Sequence, residues 1–104
     1  DENKEDLKKQ IGCFIFYPQH LELHFNHCVR KLSQREAQII QLLTADTSMP
    51  VMRKKILLEL WGDDSFYNSR NLDVYISRLR DYFSEDPNIK IVTLKGLGYH
   101  FKIL

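Results

Sequence analysis

The hydrophobic period of this chain changes abruptly at residue 33. Before it, residues 20–25 (HLELHF) alternate polar with apolar side chains, the period of a strand with one wet face. Residues 33–36 (SQRE) then match a capping box, in which the Ser33 hydroxyl accepts the N3 amide and the Glu36 side chain reaches back. Apolar residues beyond this point recur every three or four positions, as in helices. A chain that separates strands from helices in this way is predicted to fold as an α+β domain.

The segment before Ser33 predicts an antiparallel meander of three or four strands. Residues 13–17 form an aromatic and β-branched run that stops at Pro18, residues 20–25 alternate, and residues 28–32 follow a turn at 26–27. Residues 1–10 show no hydrophobic period, so we interpret them as a linker remnant with room for one helical turn around Leu7. The folded domain is predicted to span residues 11–104. Because the chain begins with Asp1 rather than Met, we expect it to be a fragment whose missing part lies upstream.

Three helices and a hairpin are predicted after Ser33. The first helix starts at the capping box, the second runs from about Arg53 to a stop at Gly62, and the third, capped by Asn68 or Ser69, reaches about Phe83. Residues 49–52 allow only a short extended piece because of Pro50. Residues 89–95 and 99–104 are two strands joined by a turn at 95–98. The predicted buried stripes are Ile39, Ile40, Leu42 and Leu43; Ile56, Leu57, Leu60 and Trp61; and Leu72, Ile76, Leu79 and Phe83.

Composition places the chain in a narrow class. Its 104 residues, 43% hydrophobic and 28% charged, suit one globular domain, and the net charge of +1 neither requires nor forbids a nucleic-acid partner. No stretch approaches a membrane span, and the charged amino terminus lacks the apolar region of a signal peptide. We therefore expect a cytoplasmic location without a membrane partner. In that compartment Cys13 and Cys28 are expected to be free, largely buried thiols rather than a disulfide.

Catalytic and metal motifs are the next class to test. The chain has no GxSxG, HExxH, Walker or CxxC motif, and residues 96–98 fail as a dinucleotide fingerprint because a strand, not a helix, follows them. We therefore expect neither enzyme activity nor a cofactor. His20 and His24 would lie about 13 Å apart on a strand, too far to share an ion. His24, His27 and Cys28 can meet across a turn, so a zinc site stays open as a minor alternative to solvated surface residues.

Basic residues on the third helix favour nucleic-acid binding. The second and third helices form a helix-turn-helix with an enlarged turn, and Arg70 and Arg78 lie on the arc opposite the apolar stripe, with Val74, Ser77 and Asp81. Such a helix fits the major groove, about 12 Å wide, where guanidinium groups pair with guanine or phosphates. Lys95 at the hairpin tip is placed to reach an adjacent narrow groove. A protein-interaction module whose third helix docks on protein, without specific DNA binding, is the alternative.

A set of ordered motifs carries a family resemblance over almost the whole chain. They are Leu32-Ser33-x-x-Glu36; Arg53-x-x-Ile56-Leu57 with Leu60-Trp61-Gly62; Ser69-Arg70-x-Leu72-Asp73-Val74-Tyr75-Ile76-Ser77-Arg78-Leu79-Arg80; Asp86-Pro87; and Ile91-x-Thr93-x-Lys95-Gly96-x-Gly98-Tyr99-x-Phe101. From about residue 14 to 104 the chain resembles the effector domain of OmpR/PhoB-type response regulators, a bacterial winged helix. The resemblance implies a four-stranded amino-terminal sheet, three helices and a carboxy-terminal hairpin wing, and sequence-specific DNA binding that regulates transcription in a two-component system.

The resemblance also implies which residues contact DNA. Helix contacts would come from Arg70, Tyr75, Ser77, Arg78 and Arg80, and wing contacts from Thr93, Lys95, Gly96 and Tyr99. Family members often carry histidine, a basic residue and arginine where Tyr75, Ser77 and Lys95 stand, so the preferred DNA sequence does not transfer from relatives. Two alternatives stay open: Arg80 forms an ion pair with Glu36 or another acid, and Tyr75 and Tyr99 are mainly packing residues.

Protein partners follow from the same resemblance. The acidic and aromatic segment 62–68 matches the family's transactivation loop, which implies contact with the sigma subunit of RNA polymerase; surface decoration is the alternative. The candidate contacts are Asp63, Asp64, Ser65, Phe66 and Tyr67. An upstream receiver domain, phosphorylated on aspartate by a cognate sensor kinase, would promote a homodimer on tandem half-sites.

Overall fold

The computed structural model describes residues 8–104. Within that range it is an α+β domain with strands at both ends and three helices between them, as predicted. The strands are β1 Lys9–Ile11, β2 Phe14–Tyr17, β3 Glu22–Phe25, β4 Cys28–Lys31, β5 Val51–Met52, β6 Ile89–Leu94 and β7 Gly98–Ile103; the helices are α1 Gln34–Thr44, α2 Arg53–Trp61 and α3 Phe66–Tyr82. The predicted turn around Leu7 lies outside the described residues. No helix within residues 8–104 has both the length and the apolar content needed to cross a bilayer.

The amino-terminal sheet is antiparallel, with strand order β1-β2-β3-β4. Strand β1 begins at Lys9, two residues before the predicted start of the folded domain at residue 11. Buried Ile11 pairs with Phe14, and Lys9 Nζ donates to the Thr44 carbonyl at 2.5 Å. One apolar residue in a three-residue strand leaves no hydrophobic period to detect, which is why the sequence pattern does not reveal β1.

Capping residues define the helices. Ser33 Oγ accepts the Glu36 amide at 3.2 Å while Glu36 Oε1 accepts the Ser33 amide at 2.9 Å, which confirms the predicted capping box. Gly62 ends α2 with a φ of 87°, the left-handed conformation that glycine adopts without strain. Helix α3 begins earlier than predicted. Its cap is Ser65, whose hydroxyl accepts the Asn68 amide at 3.2 Å, and not Asn68 or Ser69.

A second sheet, with strand order β5-β7-β6, holds the hairpin against the helices. The short piece around Pro50 adds a strand, because Val51 and Met52 pair with Tyr99 and Gly98. A Cβ atom at Gly98 would collide with the Val51 carbonyl oxygen, so this close pairing requires glycine. The hairpin turn closes through a hydrogen bond of 2.9 Å from the Leu97 amide to the Leu94 carbonyl.

Aromatic rings connect the two sheets through the end of α3. The Phe83 ring lies edge-on to Phe14 at 5.0 Å and to Phe101 at 5.2 Å between centroids. Each of these three rings is buried, and such edge-on pairs contribute about 0.5 to 1.5 kcal/mol beyond area burial. Leu60 and Trp61, predicted to be core residues, are only partly buried and lie at the margin of the core.

Both cysteines are free, as predicted, but they are exposed, so the prediction of buried thiols was wrong. Cys13 lies in the β1–β2 turn, where its amide donates to Asp86 Oδ2 at 2.9 Å and the residue is exposed. Cys28 opens β4, a strand at the edge of its sheet whose four residues are all exposed.

Candidate nucleic-acid interface

Helix α3 buries one face and leaves the other bare. Leu72, Ile76 and Leu79 are buried against the core. The opposite arc is exposed along its length, as predicted, and it holds Arg70, Asp73, Val74, Ser77, Arg78 and Asp81. We call this set the α3 arc. A bare helical face with two guanidinium groups has the shape and charge that suit a DNA groove.

The turn before α3 is short. Only residues 62–65 separate α2 from α3, whereas the sequence predicted an enlarged turn of about seven residues. The difference arises because Ser65 caps the helix three residues upstream of the predicted cap. Phe66 and Tyr67 therefore belong to the first turn of α3 and not to the loop.

Arg80 is attached to the hairpin. Its Nε and Nη2 donate to the Ile91 carbonyl at 2.9 and 2.8 Å, and Nη2 also contacts Thr93 Oγ1. The alternative in which Arg80 pairs with Glu36 does not hold, because Arg80 extends from α3 toward β6. These bonds fix the angle between α3 and the wing and place the Arg80 charge beside exposed Thr93.

Arg78 is the residue that approaches Glu36. The Glu36 carboxylate is 4% exposed and accepts the Tyr82 hydroxyl at 2.8 Å, while Arg78 Nη1 lies 3.9 Å from Oε2. Burial raises the pKa of Tyr82, and its hydrogen bond to Glu36 raises it further. The Arg78 guanidinium also lies 5.3 Å from the centre of the Tyr75 ring, so it is held at the edge of the α3 arc.

A network centred on Arg53 was missed by the sequence analysis. Arg53 Nε donates to Ser69 Oγ at 3.0 Å, Nη2 donates to the Ser69 carbonyl at 2.8 Å and lies 2.7 Å from Asp73 Oδ1, and Nη1 donates to the Tyr99 hydroxyl. One signal was available. Arg53 occupies the first position of α2, where the helix dipole disfavours a cation, so a compensating acid was to be expected.

Tyr99 belongs to this network and does not form part of the exposed surface. Its side chain is 3% exposed, and its hydroxyl donates to Asp73 Oδ1 at 3.0 Å. Burial raises the Tyr99 pKa; Arg53 opposes the shift, and the hydrogen bond to Asp73 adds to it. A buried ring whose hydroxyl is already paired inside the domain favours the alternative that Tyr99 is mainly a packing residue. Tyr75 is only partly buried, and the centre of its ring lies 5.9 Å from the centre of the Trp61 ring.

The wing presents three of its four candidate residues. Thr93, Lys95 and Gly96 are exposed around the hairpin turn. Gly96 has a φ of 77°, a conformation that side-chain-bearing residues rarely adopt. Lys95 thus extends from a turn that Arg80 and Tyr99 tie to the flank of α3.

The loop before α3 is acidic and structured. Asp63 Oδ1 accepts the Ser65 amide at 3.1 Å and the Asn68 side-chain amide at 2.7 Å, and these hydrogen bonds lower the pKa of Asp63. Asp64 and Ser65 are exposed beside it. Phe66 and Tyr67 are 76% and 74% exposed, so neither ring folds back onto the domain.

The histidine and cysteine cluster does not form a metal site within residues 8–104. No three metal-ligating side chains in that range come together, and His24 Nε2 is instead hydrogen-bonded to Glu22 Oε1 at 2.9 Å. Lys31 adds a second contact to Glu22 at 3.3 Å. The hydrogen bond to His24 is the main cause of a lowered Glu22 pKa.

Comparison with known proteins agrees with this arrangement. Residues 28–101 match the family model described as "Transcriptional regulatory protein, C terminal". The chain is 35% identical over 97 residues to the transcriptional regulatory protein RprY of Bacteroides fragilis, covering 93% of this chain and 41% of that protein. It is 30% identical over 95 residues to the heme response regulator HssR of Staphylococcus epidermidis, covering 90% and 42%. The chain spans less than half the length of these two relatives.

Solved structures show the same fold. The C-terminal domain of the nisin resistance regulator NsrR is 27% identical with a TM-score of 0.70, covering 88% of this chain and 93% of that one. The DNA-binding domain of Bacillus subtilis CssR is 30% identical with a TM-score of 0.64, covering 77% and 89%. The DNA-binding domain of CpxR from E. coli, 21% identical with a TM-score of 0.78 and coverages of 92% and 96%, supports the fold alone. Taken with the wing and the α3 arc, these matches show that the chain belongs to the C-terminal effector domains of OmpR/PhoB-type response regulators.

Proposed function

We propose that this domain binds duplex DNA sequence-specifically and thereby regulates transcription, with α3 in the major groove and the β6–β7 hairpin over the neighbouring minor groove. The observation that carries the proposal is the α3 arc, whose Arg70 and Arg78 face solvent along a helix fixed at both ends. Arg70 has no carboxylate partner within residues 8–104 and is proposed to form a bidentate pair with guanine.

Phosphate contacts are assigned to the margins of the same surface. Arg78 lies at the edge of the α3 arc and Arg80 lies beside it, and Lys95 with Thr93 and the Gly96 amide extend from the wing. Ser77 lies between the two sides and offers a hydroxyl for a base or a phosphate. Tyr75 supports Arg78 through its ring and is a secondary candidate contact.

Salt dependence tests the proposal. After a duplex has been selected from a random pool, log K should fall linearly with log salt, with a slope of about −0.9 for each neutralised phosphate. Amide shifts on titration should concentrate in residues 69–80 and 93–96. The proposal fails if no duplex is retained in the selection. It also fails if the DNA-induced amide shifts fall on other residues and a protein binds this surface instead, as the protein-interaction alternative requires.

The regulatory setting is proposed on family grounds. An upstream receiver, phosphorylated by a cognate sensor kinase, would raise the occupancy of tandem half-sites by a homodimer. In a dimer, binding of one domain to its half-site raises the effective concentration of the second domain at the adjacent half-site. Footprinting on one and two half-sites, with and without receiver phosphorylation of the full-length protein, tests this statement.

The acidic loop is proposed to contact RNA polymerase through its sigma subunit. Asp64 and Ser65 are exposed, Asp63 is fixed by the Ser65 and Asn68 amides, and Tyr67 lies beside them. Asp64→Ala should lower activated transcription in vitro without changing the DNA dissociation constant. Equal transcription by the variant and the wild type would favour surface decoration.

A further inference from the structure

The first turn of α3 continues the DNA-facing stripe. Phe66 precedes Arg70 by four residues, and Val74 and Ser77 follow at positions that share the same helical face. The Phe66 ring is 76% exposed, and the Arg70 guanidinium carbon lies 5.7 Å from its centre. The early Ser65 cap therefore adds an aromatic side chain to the face that carries Arg70.

Phe66 and Arg70 place an apolar ring and a guanidinium side by side on the exposed face of α3. The ring borders a surface depression of about 520 Å³ that Tyr67, Arg70, Asn71, Asp73 and Val74 also line. Half-exposed Val74 adds a second apolar group to this depression. Apolar side chains next to an arginine in the major groove match a thymine C5-methyl group next to a guanine.

We infer that Phe66 is a specificity-determining residue that packs on the C5-methyl group of a thymine one or two base steps from the guanine paired with Arg70. The separation of 5.7 Å between guanidinium and ring spans one or two steps of 3.4 Å along a strand. The inference rests on the proposed function. It moves Phe66 from the candidate polymerase surface to the DNA surface and leaves Tyr67 where it was.

Replacing thymine by deoxyuridine tests this contact, because only the methyl group is lost. In a selected duplex, one such replacement near the Arg70 guanine should weaken wild-type binding about fourfold, the effect of burying one methyl-sized group. Phe66→Ala should weaken binding to the thymine duplex and bind both duplexes equally. Leu58→Ala is the control, since Leu58 is an exposed apolar side chain on α2 that does not line this depression, and it should retain the preference for thymine.

The outcomes separate this inference from the proposed function. If wild-type protein binds the selected duplex but Phe66→Ala keeps the full thymine preference, the inference is overturned and DNA binding stands. The inference is also overturned if Phe66→Ala loses only activated transcription, which would return Phe66 to the polymerase surface. If the wild type selects no duplex, the proposed function fails first. Urea unfolding of both variants is the control that tests whether each remains folded at the assay temperature.

Discussion

Arg53 Nη2 lies 2.7 Å from Asp73 Oδ1 and joins the start of α2 to the exposed face of α3. Asp73 stands on the α3 arc, where an uncompensated carboxylate would repel phosphate. The Arg53 guanidinium and the Tyr99 hydroxyl both bind the same oxygen, so the acid stands on the α3 arc with its charge balanced. The network also ties the wing strand β7 to the two helices.

Arg53→Lys should weaken DNA binding more than it weakens folding. An ammonium group cannot reproduce the planar set of bonds to Ser69, Asp73 and Tyr99 at once. We expect the free energy of unfolding to fall by about 1 to 3 kcal/mol, the cost of leaving polar groups unpaired. The free energy of DNA binding should weaken by more than this, because Asp73 becomes free to repel phosphate. Urea unfolding and fluorescence anisotropy measure the two effects.

Lys54→Ala is the matched control for Arg53, since Lys54 is the next residue and is exposed. It removes a positive charge without touching the network. Arg53→Lys keeps the positive charge, so if it binds DNA as tightly as wild type while Lys54→Ala binds more weakly, affinity follows charge alone and the network has no role in binding.

Arg70→Ala and Lys95→Ala should separate sequence choice from affinity. Loss of a bidentate base contact at Arg70 should cost about 1 to 3 kcal/mol on the selected duplex and little on random DNA, whereas Lys95→Ala should weaken all duplexes similarly and lower the salt slope by about one unit. Competition binding on both DNA pools gives the comparison. Wild-type behaviour of both variants would show that the contacts lie elsewhere.

Local helix signals were predicted from the sequence more accurately than contacts between distant residues. The Ser33 capping box, the Gly62 stop and the Leu72, Ile76 and Leu79 seam were all found where the pattern placed them. Each of these signals repeats or pairs within one turn of helix, so local chemistry determines it. The three-residue strand β1 and the Ser65 cap carry no repeating pattern. The first two residues of β1 were therefore assigned to the linker, and the cap of α3 was placed at Asn68 or Ser69.

Side-chain pairing across elements was the least predictable level. Arg78 and Arg80 lie two residues apart on α3, yet one approaches Glu36 on α1 and the other binds the Ile91 carbonyl on β6. Helical spacing gives the direction of each side chain but not what tertiary packing brings to meet it. The pairing of Tyr99 on β7 with Arg53 on α2 likewise arises only from tertiary packing.

Asp86 should make the domain sensitive to acid. The carboxylate is buried and accepts the Cys13 and Asn88 amides, each at 2.9 Å, and these hydrogen bonds lower its pKa. A lowered pKa in the folded state stabilises the protein above the unfolded value of about 3.9, and this stabilisation is lost as pH falls through the folded value. Asp86→Asn should therefore have a lower Tm than wild type at pH 7, with the gap closing below about pH 4. A gap that is constant with pH would assign the effect to shape alone.

Glu36→Gln should strengthen DNA binding. Glu36 Oε2 lies 3.9 Å from Arg78 Nη1, so its charge competes with phosphate for that guanidinium. Glutamine is close in size and can still accept the Ser33 amide and pair with the Tyr82 hydroxyl, which keeps the start of α1 and the end of α3 in place. Because Arg78 is half-exposed, the pair is worth at most about 1 kcal/mol, which sets a gain of up to about fivefold at low salt. Tyr82→Phe, which removes the hydroxyl but leaves the carboxylate charge, should show no such gain in the same titration. Equal or weaker binding by Glu36→Gln, with unchanged unfolding, would show that Arg78 does not contact phosphate.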